Sequence, residues 1–268
     1  MSGYFFEKVA AVTGAASGMG LGLTEEMLAR GAAAVFMGDL KEENLARESA
    51  RLEEKYPGRV FPVVTDVTRL EDVENLIGRS ADFNGKLDFI FNIAGLGMTL
   101  PTEQITFAIW RFLVDLNIMG VVHGTYCGIP VMKKQGSGHI VNAASLAGLV
   151  PVPYQAVYAA TKAAVISMTE SLQYELETDG LSFSAFCPGN VATGIFSEIA
   201  PPPDSLSVQE AVGYILGGVE KKEMIIPFPK SVKDLYDLYR LRREDFDKFM
   251  RNLAAERREN YRTKGTYI

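Results

Sequence analysis

"VTGAASGMG", residues 12–20, decides how the rest of the chain is read. It closes the short apolar run "KVAAVTG" (8–14) and opens an amphipathic stretch that begins near residue 18. Glycines at 14, 18 and 20 permit a tight turn and let backbone approach a pyrophosphate. The phosphate charge would then meet the positive end of the following helix. Such a loop carries little weight alone; the strand–turn–helix setting gives it meaning. Asp39 stands 19 residues after Gly20, in "FMGDL", at the end of the next apolar run. A carboxylate there can accept hydrogen bonds from both adenosine-ribose hydroxyls and repels a 2′-phosphate. The loop contains no arginine or lysine and position 40 is leucine, so the residues favour NAD over NADP.

Working outward, apolar runs of about five residues recur: "AAVFMGD", "VFPVVTD", "LDFIFNIAG", "GHIVNAAS" and "SFSAFCPG" follow "KVAAVTG". Continuous runs of this kind suit strands buried on both faces of a parallel sheet. Helical patterns fall between them, at about 18–31, 41–56, 69–84, 104–133 and 155–179. The alternation predicts βαβ units and an α/β fold with a doubly wound parallel sheet of Rossmann type. The expected division is a catalytic, dinucleotide-binding domain over 1–229 and a C-terminal helical extension over 230–268. The extension carries 11 basic against 7 acidic residues, net +4, leaving −10 on residues 1–229 of the −6 total. Leu235, Leu238, Tyr239, Phe246, Phe249, Met250 and Leu253 approximate one helical stripe, expected to pack on its own domain or on a neighbouring subunit.

Composition excludes several classes. With 268 residues, 47% of them hydrophobic and 22% charged, the chain can bury a substantial core. Its net charge of −6 argues against nucleic acid, whose phosphates need a basic surface. No stretch approaches 18 continuous apolar residues, and the N-terminus lacks the pattern of a secretory signal, so no transmembrane segment and a cytoplasmic location are expected. Cys127 and Cys187 form no metal spacing and no disulfide framework, and His123 and His139 lie apart from any carboxylate cluster, so no metal site is expected. His123 reads as a helix-packing residue and His139, in "GSGHIVN", as a surface residue.

"YAATK" (158–162) places a phenol and an ammonium four residues apart, on one face of a helix. Side by side, the cation favours the phenolate and lowers the tyrosine pKa. Alone, the pair fits an ordinary amphipathic helix equally well. Ser145 stands thirteen residues before Tyr158, just past an apolar run, where ligands of doubly wound sheets bind. Asn117 is an awkward mid-helix residue in "RFLVDLNIMGVVHG", because its side chain competes for backbone hydrogen bonds.

Together these residues resemble the short-chain dehydrogenase/reductase family in its common form, continuously from residue 5 to about 195. The match takes in T-G-x3-G-x-G at Thr13–Gly20, Asp39, the Asp66–Val67 pair and N-x-A-G at 92–95. It also takes in Asn117, Ser145, Tyr158 and Lys162, and P-G-x-V-x-T at 188–193. The resemblance implies a catalytic tetrad. Tyr158 would be the general acid/base, Lys162 would lower its pKa and bind the nicotinamide ribose, Ser145 would orient the substrate oxygen, and Asn117 would hold a water linking Lys162 to solvent. It implies a dinucleotide held by Gly14, Ser17, Gly18, Met19, Gly20, Asp39, Leu40, Asp66, Val67, Asn92, Ala94, Gly95, Tyr158, Lys162, Pro188, Gly189, Val191 and Thr193. It further implies a homotetramer or homodimer packed through the Asn117 and Tyr158 helices. Two departures stand out: Ile93 occupies the place of a frequent second asparagine, and Ala144 that of a frequent serine.

The substrate pocket is expected from Ser145, Leu146, Ala147, Val152, Tyr154, Tyr158 and Gly189, with a substrate loop at about 190–207. The segments "LAGLVPVPYQ", "LGMTLP" and "GIFSEIAPPP" are mostly apolar and contain no arginine, which argues against a free carboxylate or phosphate. The expected substrate is an apolar secondary alcohol or its ketone, with hydroxysteroids and aromatic ketones as plausible examples. A 3-oxoacyl-thioester reductase and a catalytically silent nucleotide-binding scaffold are the alternatives. The first sits poorly with Asp39, the second with an intact tetrad.

Overall fold

The computed structural model describes residues 3–193 and 202–265. Its elements run in the order β1 (Val9–Thr13), α1 (Gly18–Ala29), β2 (Ala34–Asp39), α2 (Glu42–Lys55), β3 (Val60–Val64), α3 (Leu70–Asp82) and β4 (Phe89–Asn92). There follow α4 (Phe107–Val114), α5 (Gly120–Gln135), β5 (Gly138–Ala143), α6 (Leu146–Leu149), α7 (Ala156–Leu176) and β6 (Leu181–Pro188). The chain ends with α8 (Val208–Glu220), β7 (Ile225–Phe228), α9 (Lys230–Leu241) and α10 (Arg243–Lys264). The strands form one parallel sheet in the order β3-β2-β1-β4-β5-β6-β7. The order reverses between β1 and β4, which opens a crevice at their carboxyl ends.

The continuous apolar runs do become central strands: β1 and β6 are buried along their whole length. Two apolar clusters cover the two faces of the sheet. One joins α1, α2 and α8 to β1, β2 and β4; the other sets α3, α5 and α7 against the opposite side. Burial on both faces fails at β3, where Pro62 and Val64 are exposed because the strand lies at the sheet's edge. The opposite edge, β7, is four residues long with Pro227 inside it, too short to stand out in the sequence.

Three further expectations need correction. His139 is 3% exposed, not a surface residue. It sits in register with Phe89 of β4 and its Nε2 lies 2.9 Å from Ser184 Oγ, beneath the helical layer. The single helix expected over 104–133 is instead a 3₁₀ turn at Thr102–Gln104, then α4, a π-helical stretch at Asp115–Met119, and α5. The C-terminal stripe is divided by a break at Arg242, and Phe249 is 46% exposed. Phe246 and Met250 are buried in a third cluster with Val121, Ala144, Val165 and Ala185, so α10 packs on its own chain.

The span Phe107–Gln135, 29 residues with an 18-residue window of mean hydropathy 1.3, is long and apolar enough by composition to cross a membrane, although no unbroken apolar run marks it. Its α5 portion packs against α3, β4 and β5 as part of the layer over the sheet.

Candidate active site

The glycine loop lies where β1 leaves the sheet, and its geometry depends on having no side chains. Gly14 is left-handed (φ +66°), and a Cβ on it would stand 3.0 Å from the Ala94 nitrogen. A Cβ on Gly20 would stand 2.1 Å from the Gly14 carbonyl oxygen, a clash that only backbone movement could relieve. Gly18, also left-handed, borders Thr193, which brings the chain after β6 to the same crevice. Asp39 braces the loop: one carboxylate oxygen accepts from Ala16 N at 3.0 Å, the other from Lys41 N at 3.0 Å. Thr13 Oγ1 accepts from Ile93 N and Ala94 N at 2.9 and 3.2 Å, tying β1 to the end of β4. The first turn of α1 holds no acidic residue and Ser17 caps it with no side-chain hydrogen bond. Its amide groups are therefore free of internal anionic partners, as a phosphate-binding helix end requires.

The remaining residues expected to hold the dinucleotide divide. Leu40 is 63% exposed beside the Asp39 carboxylate, at the open end of the crevice. Asp66 folds its carboxylate onto its own turn, accepting from Thr68 N and Oγ1 at 2.9 and 2.7 Å. Val67 is buried, its carbonyl 2.8 Å from His123 Nδ1, so His123 packs between elements as expected. Asn92 turns its side chain inward, donating to Asn142 Oδ1 and Thr125 Oγ1 within the protein. Val191 is buried in the core, while Gly189 N donates to Phe228 O of β7 at 2.9 Å. Ile93 packs against the same core, so the departure at that position serves the sheet's apolar layer.

The four tetrad residues meet at the carboxyl ends of β4 and β5. Asn117 is fully buried in the π-helical stretch; its Oδ1 accepts from Leu96 N at 3.0 Å and its Nδ2 donates to Leu96 O at 2.9 Å. That stretch widens the helix by one residue per turn and turns Asn117 out of the α-helical register. Gly95 lets this happen: a Cβ there would stand 2.9 Å from Asn117 Oδ1 and 3.5 Å from Lys162 Nζ. Lys162 is 4% exposed; its Nζ donates to Ala143 O at 2.7 Å and lies 5.8 Å from the centre of the Tyr158 ring. Ser145 follows β5 and caps α6, accepting from Ala147 N at 3.2 Å, and its hydroxyl lies close enough to the Tyr158 phenol to favour its ionised form.

Electrostatically the pair departs from the expectation of a lysine-lowered phenol. Burial raises the Tyr158 pKa and the Ser145 hydroxyl opposes that rise. Burial pushes Lys162 down to about 8, because desolvating an ammonium with one carbonyl partner disfavours its charge. Cys187 lies fully buried beside this pair, its thiol pushed up by burial, and behaves as a small apolar residue.

Of the expected substrate residues, Ser145 and Tyr158 sit together in the tetrad. Ala147 is buried, and Leu146 packs on the third apolar cluster. Val152 lines a cavity of about 540 Å³ with Phe246 and Met250, and Tyr154 lines a second of about 610 Å³ with Leu100, Arg258 and Tyr261. Neither cavity reaches the tetrad side chains; both lie where α10 crosses the chain just before α7. The segment expected to form the substrate loop is pinned at its two ends by Ala192 N to Leu206 O at 2.8 Å and Leu206 N to Asn190 O at 3.0 Å. Its middle, 194–201, lies outside the described residues.

A family description, short chain dehydrogenase, matches residues 8–204. The chain belongs to the short-chain dehydrogenase/reductase family. Relatives include an uncharacterised oxidoreductase of Staphylococcus epidermidis, 35% identical over 187 residues (70% of this chain, 79% of the relative). Another, from Staphylococcus aureus, is 33% identical over 216 residues (78% and 91%). Among solved structures, a Burkholderia phymatum short-chain dehydrogenase/reductase in complex with NAD superposes with TM-score 0.81 at 29% identity, covering 91% of this chain and 95% of that one. A Burkholderia cenocepacia short-chain dehydrogenase in complex with NADP gives the same TM-score at 28% identity, covering 92% and 98%. The protein is thus an oxidoreductase of this family, whose fold binds a nicotinamide dinucleotide.

Several contributors were invisible in the sequence. The Ala143 and Leu96 backbone groups that hold Lys162 and Asn117 leave no residue signature. Thr161, which accepts from Asn117 at 3.3 Å, was signalled only by lying beside Lys162. Arg257, Arg258 and Tyr261 arrive more than 90 residues after Tyr158.

Proposed function

We propose that this protein is an NAD(H)-dependent oxidoreductase that interconverts an apolar secondary alcohol and its ketone. The observation that carries the reading is the convergence of Asn117, Ser145, Tyr158 and Lys162 at one end of the sheet beside an open glycine crevice. The loop residues Gly14, Gly18 and Gly20, with the N-terminus of α1, would hold the pyrophosphate, and Asp39 and Leu40 the adenosine. When bound, the dinucleotide supplies or accepts the hydride. The chain's own groups handle the proton and the oxygen. In reduction, the Tyr158 phenol donates its proton to the carbonyl oxygen, while the Ser145 hydroxyl orients that oxygen and stabilises the charge that develops on it. A phenol whose pKa is held up by burial stays protonated at neutral pH and is ready to donate. Lys162, anchored on Ala143 O, keeps a positive charge close to the Tyr158 ring; Asn117 fixes the Leu96 segment that walls the site.

NAD is preferred because Asp39 presents carboxylate oxygens, each with one backbone partner and room for a ribose hydroxyl. Exposed Phe107 (92%) and Trp110 on α4, Met119 at the end of the π-helical stretch and Tyr126 on α5 support assembly into a homodimer or homotetramer through these helices. The test is the appearance or loss of reduced nicotinamide absorbance with NAD or NADP and a panel of alcohols and ketones. The panel runs from short secondary alcohols through arylethanols and hydroxysteroids to 3-hydroxyacyl thioesters. Turnover of an apolar alcohol with NAD, cut by roughly 10²–10⁴ in Tyr158→Phe, is expected. A clear NADP preference, or a Phe variant with full turnover, would overturn the reading.

A further inference from the structure

No arginine stands in the segments that follow β4 or precede α7, yet α10 brings one to them. Arg258 Nε lies 3.4 Å from Tyr154 Oη, at the wall of the cavity of about 610 Å³. That volume lies within the ordinary range for small-molecule sites, about 300–1,000 Å³. We propose that this cavity is the outer compartment of the substrate cleft, and that Arg258 selects substrates bearing an oxyanion, carboxylate or phosphate, remote from the reacting carbonyl. The proposal rests on the oxidoreductase reading above and revises its substrate class, from wholly apolar to an apolar ketone carrying a remote anion that the near segments alone gave no reason to expect.

The cavity is built rather than incidental. Its two walls are fastened to each other by Leu100 N to Tyr154 O at 2.8 Å and Gln155 Nε2 to Thr99 Oγ1 at 2.9 Å. The helix is fastened to both walls, by Arg257 Nη1 to Pro153 O at 2.6 Å and Gln104 Nε2 to Tyr261 Oη at 3.1 Å. Tyr154 adopts φ +66°, a left-handed conformation that a bulky residue holds only where its surroundings enforce it. Those same hydrogen bonds enforce it here. The compartment stops short of the tetrad side chains but reaches the first turn of α7, where Ala156 lines it on a different helical face from Tyr158. At the other end, its Leu100 wall continues from Leu96, which Asn117 holds.

Charge favours an anion modestly. Arg258 makes no ion pair among the described residues, and a guanidinium on a cavity wall offers forked donors that match a carboxylate or phosphate. Glu103 also lines the compartment and partly offsets that charge. The selectivity expected from one solvent-accessible arginine against one carboxylate is therefore about twofold to fivefold, not a thousandfold.

The test compares 4-acetylbenzoate, its neutral methyl ester and 4-acetylphenyl phosphate as ketone substrates. In the unaltered enzyme kcat/KM for an anionic ketone should exceed that for the ester by about twofold to fivefold. Arg258→Gln should collapse the anion-to-ester ratio towards one, and Arg258→Lys should restore part of it. The carboxylate and phosphate arms report which oxyanion the compartment takes. Calorimetric binding of the same three compounds to NADH-loaded Tyr158→Phe separates this proposal from the wider one. Arg258-dependent binding without any ketone turnover sinks the catalytic reading and keeps the site. Turnover with an anion-to-ester ratio that Arg258→Gln leaves unaltered overturns the site and keeps the reaction.

Discussion

His139 offers the sharpest check on the architecture. The imidazole is buried between β4 and β6, with Nε2 on Ser184 Oγ and no partner for Nδ1 among the described residues. Ser184 Oγ itself donates to Glu223 O at 2.6 Å, so it accepts from His139 and fixes the Nε2–H tautomer. Burial, with a smaller contribution from Lys222, depresses the His139 pKa from the usual 6.5 to about 3. The consequence for stability follows from which state binds the proton. Above pH 6.5 the ring is neutral in both the folded and the unfolded chain and adds no pH dependence. Between 6.5 and about 3 the unfolded chain binds a proton that the folded chain excludes, so stability falls as the pH falls. The slope is about 1.4 kcal/mol per pH unit, which makes the loss from pH 7 to pH 5 about 2 kcal/mol. Urea denaturation of the protein and of His139→Gln at both pH values isolates this contribution from the carboxylates, which are common to both chains. With a slope of roughly 3 kcal/mol per molar urea, the native protein's midpoint should fall by roughly 0.7 M more than the variant's. Equal falls would show that His139 titrates normally and lies near solvent, refuting its placement.

Three other outcomes bear on the site. Gly20→Ala forces a Cβ to 2.1 Å from Gly14 O, so the loop must open and the NADH dissociation constant, read by nicotinamide fluorescence, should rise roughly tenfold or more; an unaltered constant would refute the tight turn. Because Lys162 is pushed down to about 8, its ammonium is present below that pH and lost above it. The kcat/KM profile should bend downwards near there, and Lys162→Arg should remove that bend; a profile flat well above that pH in the native enzyme would count against the assigned charge. Phe107→Asp, at a position 92% exposed on α4, should weaken self-association at least roughly tenfold in sedimentation experiments, and an unaltered mass distribution would rule out assembly through this face.

The convergence of the four tetrad residues and the tight glycine loop were legible because each imposes local spacing. A turn that must pass within van der Waals reach of Gly14 O admits only glycine at 20, and two side chains on one helical face must be three or four residues apart. The position of Asp39 beside the loop was legible because it ends a strand one βα unit later. His139 was misread for the opposite reason: a glycine-rich lead-in looks like a surface turn, and nothing local reports that Phe89 of β4, Ser184 of β6 and the segment after α8 enclose its side chain. The sequence by itself determined the strand–helix alternation, the loop and the tetrad, since each depends on neighbours along the chain. Tertiary structure alone decided the broken Asn117 helix, the burial of His139, the depressed Lys162 pKa and the return of Arg258 to Tyr154. Each of these depends on desolvation or on contacts between segments up to about 100 residues apart, and burial and long-range contact are properties of the packed chain, not of any stretch within it.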